Sequence, residues 1–452
     1  MASSALQAQR LALDVTAHNV ANAATKGYSR QVVTLAPGYP QQSASGRGQV
    51  GSGVVVQGIE RVRDRFLDMQ YRAESSSLGR WETLEEALRE IQVMFNEPSQ
   101  AGLREVLNQL WRSFQELANN PEDPAVRTMV LEDGRAFAEA VRHTYRQLTD
   151  LQSNVNEHIA GQVEEINLLV REIAHVSGLI ARTKVGGDEP NDLLDRRDLL
   201  LDQLARMVDV EVKEDDVTGS VFVSVNGVVL VDGSTPNLLV ATPGPGGGYE
   251  VRTEGGNVLT VKSGSLRGLL ELRDEIIPRH LQNLETWVTA IMDAVNLQHA
   301  AGYDINGQAG QAFFVTAAGY SVAGSIEVNP ALEPQHVAAS SMGEQGDGAN
   351  ALALADVKGS PLVNGASPDD FYLAWVASLG IEGREAERMV ENGRLLTRQI
   401  ELQRDDVAGV SLDEEMTRMI MYQHAYNAAA RMITALDEAL DVVINRMGLV
   451  GR

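Results

Sequence analysis

Residues 411–448 read SLDEEMTRMIMYQHAYNAAARMITALDEALDVVINRMG, and their spacing decides the fold. Leu412, Met419, Tyr426, Ile433, Leu440 and Met447 recur every seven residues, and Tyr422, Ala429, Leu436 and Val443 form a companion row at the same interval. Two apolar rows held over five heptads predict a long helix that presents a coiled-coil seam. A lone helix of that length is marginal in water, so the segment is expected to become firm only where a partner covers the seam.

The opposite end of the chain offers such a partner. In ALQAQRLALDVTAHNVANAA, residues 5–24, Leu6, Leu13 and Val20 repeat the seven-residue step. This helix is expected to stop at Thr25-Lys26-Gly27, where Gly27 can take the left-handed conformation. From there to Gly58 the residues are mostly Gly, Ser, Gln and Pro, which predicts an extended polar connection with one short strand at Gly53–Gln57.

Between the ends, helical periodicity dominates. One stretch runs from about Ile59 to Phe95 and another from Leu103 to Leu117. Asp123-Pro124 then opens a helix reaching about Lys184, marked by Phe137, Val141, Leu148, Val155, Val163, Ile166, Val170 and Ile173. Pro190-Asn191 starts a further one. At Val208 the apolar period changes from 3.6 to 2. Val210/Val212 and Val221/Val223/Val225 alternate with polar residues, and Asn226-Gly227 is a strong hairpin signal because both positions favour positive φ. Leu238–Ala241, Tyr249–Thr253 and Val258–Val261 also read as strands. Helix returns from Leu266 to His299, with a break expected at Pro278. Residues 302–365 read as an irregular, loop-rich excursion with a strand at Ser325–Val328, and helix resumes from Asp369 to Ala408.

The expected fold is thus mainly α with a small β insert, elongated and multi-domain. Terminal coiled-coil helices pair the two chain ends (1–58 with 409–452). A central long-helix bundle comprises 59–208, 266–301 and 366–408, a β domain is inserted at 209–265, and the excursion spans 302–365.

Composition narrows the function. Asp and Glu outnumber Lys and Arg by 62 to 38 in 452 residues, a formal charge of −24 that disfavours nucleic acid and anionic membrane as partners. The first eighty residues carry nine basic and five acidic side chains, so their charge opposes that of the remainder. The absence of cysteine removes thiolate chemistry, Cys-ligated metal and disulfides. No apolar run is long enough to span a bilayer, and MASSALQAQR lacks the charged and apolar regions of a cleavable secretory peptide.

Catalytic motifs are weak or missing. Gly46-Arg47-Gly48-Gln49-Val50-Gly51 matches G-x-G-x-x-G in letters only, because a polar loop precedes it and a Val-rich strand follows. The eight histidines form no metal-ligand pair. Asp304-Ile305-Asn306-Gly307 reads as a tight turn, and the acidic run Glu211, Glu214, Asp215 and Asp216 as a solvated strand end. No catalytic, cofactor or metal site is expected.

The two ends resemble the signatures of the bacterial flagellar axial proteins: ALQAQRLALDVTAHNVANAATKGYSRQ (5–31) at the start and the heptad segment at the finish. NDLLDRRDLLLDQLARMVDVEV (191–212), VSVNGVVLVDG (223–233), NLQHAAGYDINGQAGQAFF (296–314) and GANALALADV (348–357) narrow the likeness to the hook-associated proteins of the hook–filament junction. Asn19, Asn22, Gly27, Tyr28 and Ser29 stand where that family's N-terminal motif has the same residues. Ala24 and Lys26 replace its usual Asn and Pro, which makes the helix end less sharply enforced, and only four residues precede Ala5 where the family has a longer apolar lead-in.

The resemblance implies a structural adapter in the extracellular flagellum, a homo-oligomeric ring between the hook protein and a second junction protein on the filament side. It implies terminal helices forming an inner tube wall, an outward-facing β insert, export without signal cleavage, and an export chaperone on the C-terminal helix. The expected subunit interface is Leu6, Leu13, Val20, Leu412, Met419, Tyr422, Tyr426, Ile433, Leu436, Leu440, Val443 and Met447. Two other readings compete: a hook or distal rod subunit, whose middle would be β-rich, and an axial protein carrying a peptidase-like insert. The latter needs a catalytic cluster between Val208 and Leu266, a stretch without His or Cys.

Overall fold

The computed structural model describes residues 1–42, 49–95, 102–215, 217–244 and 247–446. Its longest element follows directly from local sequence. The N-cap Asp123 accepts a hydrogen bond from the Ala125 amide, Pro124 fits the first helical turn, and Arg182 and Lys184 sit against the carbonyl end of α4, Pro124–Val185. These 62 residues span about 93 Å at 1.5 Å per residue. Val155, Ile159, Val163, Ile166, Val170 and Ile173 form a fully covered stripe along it.

Around α4 stand α2 (Arg65–Phe95), α3 (Leu103–Asn119), α5 (Asn191–Met207), α6 (Ser265–Glu271), α7 (Ile277–Ala301), α8 (Val322–Ser325), α9 (Ala349–Asp356) and α10 (Pro368–Ala408). These helices form an elongated bundle. The break expected at Pro278 is instead a π-helical turn, Leu272–Ile276, after which Pro278 lies in the first turn of α7, where its missing N–H is not needed. At Gly79 a Cβ would lie 2.2 Å from the Arg206 carbonyl, so α2 and α5 approach there only because the residue is glycine.

Three expectations are corrected. The polar connection after Gly27 is a hairpin: β1 (Gln31–Pro37) pairs antiparallel with β4 (Val54–Arg61), and the short strands β2 (Gln41–Gln42) and β3 (Gln49–Val50) pair beyond them. Val32 and Val33 lie opposite Glu60 and Ile59, and Leu35, Ala36 and Pro37 opposite Val56, Val55 and Val54, so the hairpin holds β-branched residues that the Gly/Ser/Gln-rich composition concealed. Consequently the helix expected from Ile59 begins at Arg65. Val258–Val261 forms no strand, only a single bridge from Val258 to Arg252.

Residues 302–365 are also more than an irregular excursion. They carry β11 (Phe314–Val315), β12 (Glu327–Val328), α8 and α9, and they bury Phe313, Phe314, Val337 and Ala338 in the bundle. Phe313 and Phe314 meet at 4.8 Å and join an aromatic cluster of the bundle, where Phe314 meets Phe137 at 6.0 Å, Phe137 meets Trp287 at 5.8 Å and Trp287 meets Tyr372 at 5.1 Å.

The insert forms a four-stranded sheet of β5 (Val210–Glu214), β6 (Val221–Val225), β7 (Val228–Asp232) and β8 (Thr235–Pro236), with a separate hairpin of β9 (Leu239–Pro243) and β10 (Tyr249–Thr253). Asn226 and Gly227 turn at φ 45 and 84 between β6 and β7. The sheets are docked on α4. Asn167 exchanges two 2.8 Å hydrogen bonds with the Leu239 backbone, and Asn156 accepts from the Tyr249 amide at 2.7 Å. Val223, Val225, Leu230 and Val251 thereby join the same continuous core as the bundle.

Candidate assembly surface and its anchorage

The chain ends meet as α1 (Ala2–Asn22) and α11 (Leu412–Asp441), the latter capped by Ser411 and carrying Asp413, Glu414 and Glu415 in its first turn. Asn19, near the end of α1, donates to Glu415 Oε2 at 2.9 Å, near the start of α11. Helices in extended contact with that pairing run antiparallel. Seventeen residues of α1 precede Asn19, and 26 residues of α11 follow Glu415. At 1.5 Å per residue, α11 therefore outreaches α1 by about 13 Å.

The buried face of α1 is Ala8, Ala12, Val15, Thr16 and Asn19, not the heptad row. Leu6, Leu13 and Val20 flank this small-residue face and stay half-exposed. In α11 only Glu415 and Ala429 are buried; Met419, Tyr422 and Tyr426 are half-buried. Small residues let the two backbones come close, which leaves the larger side chains at the margins. Leu412 is exposed, and so is everything apolar past the reach of α1: Ile433, Leu436, Leu440 and Val443 are each 38–56% exposed. A π-helical turn at Val442–Arg446 continues the row, and Met447 lies outside the described residues.

The motif residues of the N-terminal signature are drawn together, with different tasks. Asn19 Oδ1 accepts from the Gln31 amide at 2.9 Å and from Tyr28 Oη at 2.8 Å, while its Nδ2 donates to the Gln31 carbonyl and to Glu415. One side chain thus ties α1, β1 and α11. Burial, followed by Asp192, Asp195 and Glu415, pushes the Tyr28 hydroxyl well above its ordinary range, so it remains a donor. Ser29 gives Asp195 two bonds, from its amide at 2.8 Å and its hydroxyl at 2.7 Å. Gly27 has φ +83 and lies against Leu199, but α1 has already ended at Asn22; the helix terminus expected at Gly27 is a turn five residues later. Asn22 bonds only locally, to the His18 carbonyl and the Thr25 hydroxyl.

Beneath the motif lies a charge cluster that spacing alone did not single out. Arg61 reaches Asp195 at 2.9 Å and Asp198 at 2.7 Å, and Arg63 reaches Asp68 at 2.7 Å. Arg72 bridges Asp198 at 3.0 Å and Asp202 at 2.8 Å, and Arg404 bridges Asp68 at 2.9 Å and Asp202 at 2.8 Å. The signal was present in α5, where Asp192, Asp195, Asp198 and Asp202 fall three to four apart on one helical face. Burial by itself would raise the Asp198 carboxyl, yet Arg63, Arg61, Arg72 and Arg197 overcome it and hold the group well below the usual carboxylate range. Four arginines thus face four aspartates out of water, each charge with more than one partner or a paired neighbour.

The weak motifs resolve structurally. Glu214 pairs with Arg197, Asp215 caps the turn by accepting from Val217 and Thr218, and Asp304 accepts from the Asn306 and Gln308 amides. Asp216 and Gly46–Gly48 lie outside the described residues. Among the described residues there is no group of His, Cys, Asp and Glu suited to hold a metal ion, and no helix long and apolar enough to cross a membrane.

Long bundled helices and chain ends closed on each other define a class, the elongated helical structural subunit. The sequence model for the flagellar hook-associated protein FlgK helical domain matches residues 88–314. Those for the flagellar basal body rod FlgEFG protein C-terminal region and the flagella basal body rod protein match residues 407–447 and 1–28. Flagellar hook-associated protein 1 of Bacillus subtilis is 36% identical across 99% of this chain and 97% of its own length. Its counterpart in Salmonella typhimurium is 30% identical across 69% of this chain, which spans 58% of that relative. The flagellar hook junction protein FlgK from Burkholderia pseudomallei has the same fold, with a TM-score of 0.69 over 75% of this chain and all of that one at 15% identity. The chain belongs to the flagellar hook-associated protein 1 family and is a structural component of the bacterial flagellum at the hook–filament junction.

Proposed function

We propose that the chain is a non-catalytic junction subunit that packs into a ring with copies of itself, against hook protein on one side and a second junction protein on the other. In this reading the terminal helices are the contact surface, and torque passes through their packing. Leu6, Leu13, Val20, Leu412, Met419, Tyr422, Tyr426, Ile433, Leu436, Leu440, Val443 and Met447 are its interface residues. The bundle, the docked sheets of 209–265 and the 302–365 segment stand outside that contact. A chaperone covers the C-terminal helix before export, and the chain leaves the cell without signal cleavage.

The observation that carries the reading is the row Ile433, Leu436, Leu440 and Val443, left bare beyond α1 on an otherwise well-formed helix. Burying the exposed half of four such side chains is worth about 1 kcal/mol each, a contribution to association once a matching seam is present. Replacing Ile433→Asp together with Leu440→Asp is expected to abolish incorporation into flagella while the purified chain keeps its bundle helicity. Normal filaments on cells carrying that double variant would overturn it.

A further inference from the structure

The terminal helices and the bundle are joined by polar chemistry. Ala8, Ala12, Val15 and Ala429, the apolar residues that α1 and α11 bury, lie outside the continuous hydrophobic core that runs through bundle and sheets. The chain crosses the junction twice, through residues 62–64 between β4 and α2 and through residues 409–411 between α10 and α11. Both crossings are stitched at Arg30: its amide donates to the Ala408 carbonyl at 2.7 Å, and its carbonyl accepts from the Val62 amide at 2.8 Å.

Other bonds across the junction are side-chain bonds to α5 and α2. Ser29 and Arg61 converge on Asp195, Arg61 also reaches Asp198, and Arg63 takes Asp68 in two bonds of 2.7 and 3.1 Å. Asn191 donates to the Ile59 carbonyl at 2.8 Å, and Gln31 to Asp192 at 2.8 Å. Arg72 and Arg404 differ in kind, since both they and their partners Asp68, Asp198 and Asp202 belong to α2, α5 and α10.

An apolar contact is non-directional and tolerates sliding, whereas a charge-assisted, multiply bonded contact has one geometry. We infer that the Ser29, Arg61 and Arg63 contacts with Asp195, Asp198 and Asp68 form an orienting clasp that sets the angle at which the terminal helix pair leaves the bundle. Arg72 and Arg404 hold the socket together without setting that angle. Burial keeps the clasp out of competing water and salt, and each side folds on contacts of its own: α1 on α11, and the bundle on α4. Releasing the clasp therefore frees the pair to swing without melting either body.

The chain has no cysteine, so labels can be placed at will on the full-length protein. Glu157→Cys on α4 and Thr417→Cys on α11, both exposed, carry spin labels for a distance measurement across the junction at dilute concentration. The parent chain is expected to give one narrow distance. Arg61→Gln and Asp195→Ala should each broaden it at least twofold with the far-UV helical signal retained, while Arg404→Gln leaves the width unchanged and lowers the bundle's resistance to denaturant. An unchanged width in Arg61→Gln and Asp195→Ala overturns the proposal, as does equal broadening by Arg404→Gln. Loss of helicity in both clasp variants overturns it too, because the clasp is held to be separable from folding.

Discussion

Helices α4 and α11 carry the same apolar rhythm and meet opposite fates. Along α4 the stripe from Phe137 to Ile180 is covered by neighbours from its own chain; along α11 the row Ile433, Leu436, Leu440 and Val443 is left 38–56% exposed among the described residues. Periodicity states that a surface must be buried, and only the arrangement of other elements states whether the molecule does so alone. In α4 the stripe stabilises the monomer. In α11 it remains partly exposed, as the proposed assembly surface requires, and the two helices should respond oppositely to the same kind of change.

The sharpest test of that contrast is truncation. Trp287 is fully buried against Phe137 and Tyr372, with its ring N–H donating to the Pro368 carbonyl at 2.8 Å. Trp287→Ala should cost about 3–5 kcal/mol of unfolding free energy in denaturant titrations. Leu436→Ala, in the bare part of α11, should shift the same titration by less than about 0.5 kcal/mol. A large loss at Leu436 in dilute monomer would break the comparison.

Acid offers a second division. Burial pushes His280 and His299 down to about 4 from 6.5, with Arg279 adding to the effect at His280. His299 donates from Nδ1 to the Gln311 carbonyl at 2.5 Å and accepts at Nε2 from the Ala338 amide at 3.0 Å, so a second ring proton has nowhere to go. His280 Nδ1 likewise accepts from Trp375 at 2.9 Å. The unfolded chain binds protons at these two sites before the folded chain does. Their contribution is complete above about pH 6.5 and is lost as pH falls toward 4, by roughly 3 kcal/mol each at most. Asp198 behaves as a lowered carboxylate, fully stabilising above about pH 4 and weakening only below it, so its contribution outlasts that of the histidines as acid is added. Denaturant midpoints measured from pH 8 to pH 4 should fall, and His299→Gln should flatten the slope.

A smaller effect is expected at the closure of the ends. Asn19→Ala removes four hydrogen bonds linking α1, β1 and α11 and should cost about 1–3 kcal/mol locally. Amide exchange in α1 and early α11 should quicken while α4 stays protected. Uniform acceleration through α4 would show that ends and bundle are one cooperative unit.

Much of this was legible beforehand because it is local. The 62-residue helix announced itself through Asp123-Pro124 and an unbroken 3.6 period, and the β6–β7 turn through Asn226-Gly227. The β1–β4 hairpin was not, since Val32–Thr34 and Val54–Val56 sit in a stretch whose Gly, Ser and Gln content resembles linker, and pairing across some twenty residues has no local mark. The excursion at 302–365 misled for a related reason: Phe313 and Phe314 are buried by elements far away in sequence. Asn19 and Ser29 could be picked out by motif, but the carboxylates that accept from them, Glu415 and Asp195, lie 396 and 166 residues away.

The order of residues by itself determined most of the long helices, the β6–β7 turn and which faces are apolar, because capping, turn chemistry and periodicity act over a few residues. Tertiary structure alone decided which apolar rows the chain covers for itself, which it leaves exposed, and that the joint between its two parts is built from arginine and aspartate. Those outcomes depend on contacts between distant segments, and a contact that loop closure must first bring together leaves no trace in the spacing of either partner.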